Sequence, residues 1–299
     1  MEVTAMLKIE RILCPMDFSE FSVRAYGYAQ SLAKRYAAKL YVEHVVQPLG
    51  TAYPYYVFPD TVNQIYGDLA DEARQHLQEF VKIHTRDGIQ TEFVVQTGPV
   101  SQCILSFSET QAIDLIVMGT HGRQGVDHLT MGSVTEKVLR KAQCPVLAVR
   151  RPAHDFVSPE KEGEPVQLQK ILFCADFSQQ SERALSYALS LGMEYNAELT
   201  LLHVLEDVPR PDDLEKETER IQQQLWQPVP SDARNWSTIK SVVRIGKPYQ
   251  EIIRLALEAH TDLVIMGVRG RSALDLALFG STTHRVLQLG PCPVLAVRI

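Results

Sequence analysis

"RILCPMDFSEFSVRAYGYAQSLAKRYAAKLYVEHVV", residues 11–46, is the stretch that decides the fold. It opens on a short apolar run, passes through the amphipathic "SVRAYGYAQSLAKRY", and closes on a second apolar run, "KLYVEHVV". Two apolar runs of strand length around one segment of helical period read as a β-α-β unit. A helical crossover between two strands makes them parallel. The same pattern returns from residue 170 as "KILFCADFSQQSERALSYALSLGMEYNAELTLLHVL", identical at nearly half the positions without a gap.

Working outward, the later parts repeat as well: "DLIVMG" as "DLVIMG" and "CPVLAVR" as "CPVLAVR". The offset is 159 in the first block (Asp17 to Asp176, His44 to His203) and 148 in the later ones (Gly119 to Gly267, Pro145 to Pro293), so the first copy carries 11 additional residues in between. A repeat this long means two domains rather than a solenoid. Each copy reads β-α-β-α-β-α-β-α-β, with Ile65, Leu69, Ala73, Leu77 and Phe80 on one face of the first copy's long helix. Short apolar runs alternating with helices predict an α/β fold of the doubly wound class, a parallel sheet with helices on both faces. We place the first domain at 1–150, a Pro- and Glu-rich linker at 151–169, and the second domain at 170–299. Pro228 and Pro230 are expected to end the long helix of the second copy early. The first copy instead carries an aromatic stretch, residues 49–67, with Tyr53, Tyr55, Tyr56 and Phe58, which reads either as a loop folded back on the body or as a lid or partner surface.

The balance of 30 Lys+Arg against 36 Asp+Glu, a net charge of -6 without basic blocks, argues against nucleic acid as a partner. No run of 18 apolar residues and no signal-peptide pattern occurs, so a cytoplasmic protein with no membrane association is expected. Cys14, Cys103, Cys144, Cys174 and Cys292 include no CxxC pair and suggest neither a disulfide framework nor a zinc site. His44 and His203 are expected to be half-buried and satisfied rather than ligands.

The chemistry concentrates in "VMGTHGRQGVDHLTMGS", residues 117–133, and its echo "IMGVRGRSALDLALFGS", residues 265–281. Both contain Gly-x2-Gly-x9-Gly-Ser at the end of the fourth apolar run, where an open parallel sheet binds its ligands. Gly119 and Gly122, with Gly267 and Gly270, would let the chain turn with positive φ and let a ligand approach the backbone. Gly132-Ser133 and Gly280-Ser281 open the next helix, where unpaired N–H groups suit a phosphate and the serine caps the helix or donates a hydroxyl. Ordinary strand-to-helix turns are the competing reading.

Gly-x2-Gly-x9-Gly-Ser, with "PMDFS" closing the first strand and "HV" in the second, resembles the universal stress protein family in its nucleotide-binding branch. The resemblance covers nearly the whole chain, twice. It implies five-stranded parallel sheets of order 3-2-1-4-5, and ATP lying across the first and fourth strands. It implies Asp17 near the nucleoside beside Pro15, the Val45 backbone on the adenine edge, and Met118 and Gly119 along base and ribose. Gly122, Gly132, Ser133 and Val134 would hold ribose and phosphates. In the second copy Asp176, Val204, Met266, Gly267, Gly270, Gly280, Ser281 and Thr282 take these roles. Two departures touch the second site: Cys174 stands where the family often has proline, and Thr282 replaces the usual valine.

Arg123 and Arg271 follow the second glycine of each loop, either as solvated charges or as γ-phosphate contacts. His121 has no counterpart, and no catalytic residue is assigned. Mg2+ would arrive with the nucleotide. The resemblance also implies that the last strands meet across a two-fold, here within one chain; a further homodimer and an unidentified protein partner remain open. Three functional classes follow: an ATP-binding stress-response regulator, an enzyme with at most slow ATP hydrolysis, and an interaction scaffold without nucleotide.

Overall fold

A computed structural model describes residues 7–47, 59–121, 131–150, 156, 166–207, 210–231, 233, 238–268 and 280–298, with side chains of the second helix from Tyr66 onward. The first half runs β1 (Arg11–Pro15), α1 (Glu20–Tyr36), β2 (Lys39–Val46), α2 (Pro59–His84), β3 (Thr91–Thr97), α3 (Val100–Thr110), β4 (Leu115–Gly119), α4 (Ser133–Lys141) and β5 (Val146–Val149). The second half runs β6 (Lys170–Cys174), α5 (Gln179–Tyr195), β7 (Glu198–Leu205), α6 (Pro211–Trp226), β8 (Ile239–Ile245), α7 (Pro248–Glu258), β9 (Leu263–Gly267), α8 (Ser281–Leu289) and β10 (Val294–Val297).

One sheet of ten strands runs through the molecule in the order β3-β2-β1-β4-β5-β10-β9-β6-β7-β8. Each half is therefore a parallel 3-2-1-4-5 sheet, the second reversed relative to the first. The halves meet antiparallel where β5 pairs with β10, Leu147 opposite Leu295 at the centre of the joint. Every residue of β4, β5 and β10 is buried, because helices cover both faces. Alternation along the strands splits the core into two layers: Ile12, Cys14, Leu40 and Val42 face one side, and Leu13, Tyr41, Ile116 and Met118 face the other. Each such large apolar side chain contributes roughly 1.5–3 kcal/mol relative to exposure.

Matched end signals position the first helix of each half. Ser19 accepts from the Ser22 N–H and Ser178 from the Ser181 N–H, and the helices stop at Ala37 and Asn196 in the left-handed region (φ 51 and 50). On the face these helices share, Tyr36 donates to Glu194 (2.7 Å), Arg35 pairs with Glu194 (3.2 Å), and the Leu7 N–H donates to Ser190 (2.8 Å). Phe156, from the segment expected as a linker, also packs here. Phe156 is buried edge-on to Tyr28, 4.8 Å between ring centres, and its carbonyl accepts from the Gln167 N–H.

The long helix differs most between copies, 26 residues in α2 against 16 in α6, which stops two residues before Pro228. The aromatic stretch is partly helix: from Pro59 onward it belongs to α2, since 59–67 continue the helical period, while Tyr53, Tyr55, Tyr56 and Phe58 lie outside the described residues. Cys14, Cys174 and Cys292 are buried, and burial pushes the Cys292 thiol up to about 12. Among the described residues no helix is long and apolar enough to cross a membrane, and no group of three His, Cys, Asp or Glu could hold a metal ion.

Candidate functional site

In each half the strand order reverses between the first and fourth strands, β1 and β4 or β6 and β9. The crossovers on either side of that point leave in opposite directions, so a crevice opens beyond the carboxyl ends of the strands. The crevice measures about 900 Å³ in the first half and about 1150 Å³ in the second. Sites for small molecules and cofactors run to roughly 300–1,000 Å³.

The first wall is the turn that leaves β1. Asp17 Oδ1 accepts from both the Ser19 N–H (3.0 Å) and the Ser19 hydroxyl (2.6 Å), and Asp176 does the same with Ser178 at the same distances. Between them Phe18 and Phe177 sit at φ 62 and 59, a conformation a bulky side chain adopts only when its surroundings enforce it. The surroundings are aromatic: Phe18 stacks on His76 with ring centres 4.1 Å apart, and Phe177 lies 4.6 Å from His203. His44 and His203 bond through Nδ1 to the carbonyls of Met16 (2.7 Å) and Ala175 (2.8 Å), tying the second strand's end to the first strand. A carbonyl accepts, so Nδ1 carries the hydrogen in both rings. These histidines are half-buried and structural.

The second wall holds the glycines, and it corrects two expectations. Gly119 and Gly267 are not in the left-handed region, because each is still the last residue of its strand. A Cβ on Gly119 would come within 2.8 Å of the Phe21 Cβ and 2.9 Å of its carbonyl carbon; on Gly267 it would come within 3.1 Å of the Gln180 Cβ. These glycines make room for the first turn of α1 and α5, which cross the strand ends there. Ser133 and Ser281 do not cap their helices: Gly132 and Gly280 take the N-cap positions, at φ -61 and -57, and no side chain among the described residues caps either helix. The serines are the first helical residues, and both line the cleft. The contrast with the serine-capped α1 and α5 is direct: the residues that open α4 and α8 line the clefts, and no side chain among the described residues caps those helices.

A bond that the residue patterns did not predict anchors those helix starts. The Thr135 hydroxyl donates to the Gly119 carbonyl (2.9 Å), and Thr283 to that of Gly267 (3.1 Å). The Gly132 N–H also reaches the Thr120 carbonyl (2.9 Å) and the Gly280 N–H that of Val268 (3.4 Å), which closes the base of the glycine loop. Gly122, Arg123, Gly270 and Arg271 lie outside the described residues.

The predicted residues that are described come together. Pro15, Asp17, Val45, Met118 and Gly119 line the first cleft with Gly132, Ser133 and Val134. Asp176, Val204, Met266, Gly267, Gly280, Ser281 and Thr282 line the second. Their charge surroundings differ. Lys137 lines the first cleft, whereas its counterpart Arg285 lies over the Tyr249 ring, 4.7 Å from its centre. The first cleft also holds Glu43, 1% exposed, where the second has Leu202. Burial raises the Glu43 carboxyl to about 8. The residue patterns single out none of Thr135, Lys137 and Glu43. The threonines recur in both copies two residues after the serine of the Gly-Ser pair, a signal that a closer comparison of the repeats shows.

Comparison with known proteins agrees with this geometry. The model of the universal stress protein family matches residues 8–150 and again residues 167–298. A universal stress protein of Mycobacterium tuberculosis is 26% identical over 272 residues, covering 87% of this chain and 87% of its own. One from Methanocaldococcus jannaschii is 30% identical over 148 residues, 48% of this chain and 83% of its own. The crystal structure of a universal stress protein from Archaeoglobus fulgidus superimposes with a TM-score of 0.69 at 24% identity, covering 98% of this chain and 97% of that one.

Proposed function

The chain belongs to the universal stress protein family, in tandem two-domain form, and from that premise we propose that it is a regulatory protein that binds an adenine nucleotide, ATP with its Mg2+, in each half. The observation that carries this reading is the pair of helix starts at α4 and α8. Each has a glycine N-cap, no side-chain cap among the described residues and a serine at the next position, and each opens into a cleft at the switch point of its sheet. Unsatisfied N–H groups and the positive end of the helix dipole favour a phosphate there. Asp17 and Asp176, each held by a serine turn, stand on the opposite wall, where a ribose would lie. Val45 and Val204, each one residue before the end of its strand, would offer backbone groups to a base edge.

A bound nucleotide would change the surface that the mouth of each cleft presents, a difference that a partner protein can read. Mg2+ would be held mainly by the phosphates, which suits a cleft whose fixed donors are backbone N–H groups. Native mass spectrometry of the full chain with and without MgATP tests the proposal by counting bound nucleotides. Two per chain are expected, falling to one in Gly132→Val or Gly280→Val, whose added side chains would cover the first-turn N–H groups. No nucleotide bound at millimolar MgATP overturns the reading and leaves a scaffold.

A further inference from the structure

The first cleft contains a group that the phosphate chemistry leaves unused. Glu43 lies on β2 opposite Pro15 and Val94, one side-chain step beyond Tyr41 on the same face of the strand. Tyr41 closes the core layer below, edge-on to Phe107 with ring centres 5.4 Å apart. Glu43 therefore sits where that core layer ends and the cleft begins, with Val100, Ile104 and Met118 lining the same cleft. The residue is 1% exposed, and neither carboxyl oxygen has a hydrogen-bond partner among the described residues.

A buried polar group without a partner is costly, and the fold does not require this one. The second half has Leu202 at the same register, opposite Cys174 and Val242, buried in the equivalent layer. The strand packs as well with an apolar residue. What the carboxyl adds is hydrogen-bonding capacity at the floor of one cleft and not of the other. Protonated, as its raised pKa makes it near neutral pH, it presents an O–H donor and a C=O acceptor side by side. An aminopurine presents the complement, a ring nitrogen that accepts beside an exocyclic amine that donates.

We propose that Glu43 is the base-reading side chain of the first cleft, pairing with the amino edge of a bound purine, and that the second cleft, floored by Leu202, lacks this contact. The inference rests on the nucleotide reading and adds that the two sites differ in selectivity. A site built to satisfy both polar atoms of the ligand rejects an analogue missing one of them, because the buried partner is then left unpaired.

The test uses the full chain carrying Gly280→Val, so that the first site alone is titrated, with two probes: ATP and purine riboside triphosphate, which lacks the exocyclic amine. The parent is expected to prefer ATP about tenfold, a factor worth about 1.4 kcal/mol. Glu43→Gln, whose amide keeps a donor and an acceptor, retains most of that preference. Glu43→Leu, which copies the residue of the second half and is expected to fold, reduces it severalfold toward the ratio measured for the second site in a Gly132→Val chain. An unchanged ratio in Glu43→Leu overturns the proposal. So does tighter ATP binding by Glu43→Leu with an unchanged ratio, which would reduce Glu43 to a buried group that merely destabilises the site. Failure of the unsubstituted chain to bind either probe refutes the nucleotide reading itself, and is thereby distinguishable.

Discussion

Replacing Glu43 with Gln should change the pH dependence of stability in a way that can be worked out from its burial. The carboxyl ionises near 4.5 in the unfolded chain and at about 8 in the folded one, with desolvation as the cause. Below about pH 4.5 both states hold the proton and the group contributes nothing. Between about 4.5 and 8 the unfolded chain has released the proton while the folded chain retains it, so the folded state loses stability as pH rises. Above about 8 both are ionised and the loss stays at its full value. Each pH unit between the two ionisations is worth about 1.36 kcal/mol, so the loss amounts to about 3 kcal/mol at neutral pH and about 5 kcal/mol at its plateau. Against the roughly 5–15 kcal/mol that typically holds a domain together, such a loss is large. Glu43→Gln removes the titration, and Glu43→Leu also removes the unpartnered polar atoms, worth roughly 1–3 kcal/mol more. Urea unfolding at several values between about pH 5 and pH 8, followed by circular dichroism and by hydrogen exchange of peptides across Lys39–Val46, reads the difference between parent and variant. All other titrating groups cancel in that difference. Trp226 and Trp236 both lie in the second half, so tryptophan fluorescence follows that half as an internal comparison. The stability gap should widen by about 1 kcal/mol per pH unit; a gap that stays constant over this range refutes the argument.

Three further outcomes are expected. Gly119→Ala should destabilise by about 1–3 kcal/mol, because its Cβ comes within 2.8 Å of the Phe21 Cβ and 2.9 Å of its carbonyl carbon, while Gly267→Ala, whose Cβ comes no nearer than 3.1 Å to Gln180, should cost less in the same urea titrations. Ser19→Ala removes a helix cap and a hydrogen bond to Asp17 together, so about 1 kcal/mol of stability should go, accompanied by weaker nucleotide binding in the first cleft measured by calorimetry. Lys137→Ala should weaken ATP binding at the first site more than AMP binding, with the difference shrinking as salt is raised; equal effects on both nucleotides would place Lys137 away from the phosphates.

The parallel fold and its duplication are legible in the sequence because they rest on strong, redundant signals. Apolar runs such as "LIVMG" alternate with helical period, and each pattern occurs twice. The gathering of Asp17, Met118 and Gly132 at one cleft follows from where the strands end. The role of Gly119 is not legible, because a glycine looks the same in sequence whether it permits a left-handed turn or a close helix crossing; only the position of Phe21 decides. Ser133 resembles a cap for a similar reason, since the N-cap position depends on one residue of helix phase. Glu43 is hidden by its neighbours. Within "KLYVEHVV" nothing marks a single acidic residue near a strand end as buried, and its 1% exposure shows only in the packed sheet.

The antiparallel joint between β5 and β10 has a consequence for how the two clefts can change. Two separate copies of one domain, meeting across the same edge, would be bound by symmetry: a substitution in one cleft appears in both, and the pair comes apart on dilution. Here the chain connection holds the partner edge at a high effective concentration whatever the protein's own concentration. Each cleft also has its own codons, so Glu43 and Leu202, or Lys137 beside the cleft and Arg285 over a tyrosine, occupy equivalent places in one molecule. On the proposed reading, a tandem chain of this kind would be a two-channel device, able to give different answers to the same ligand.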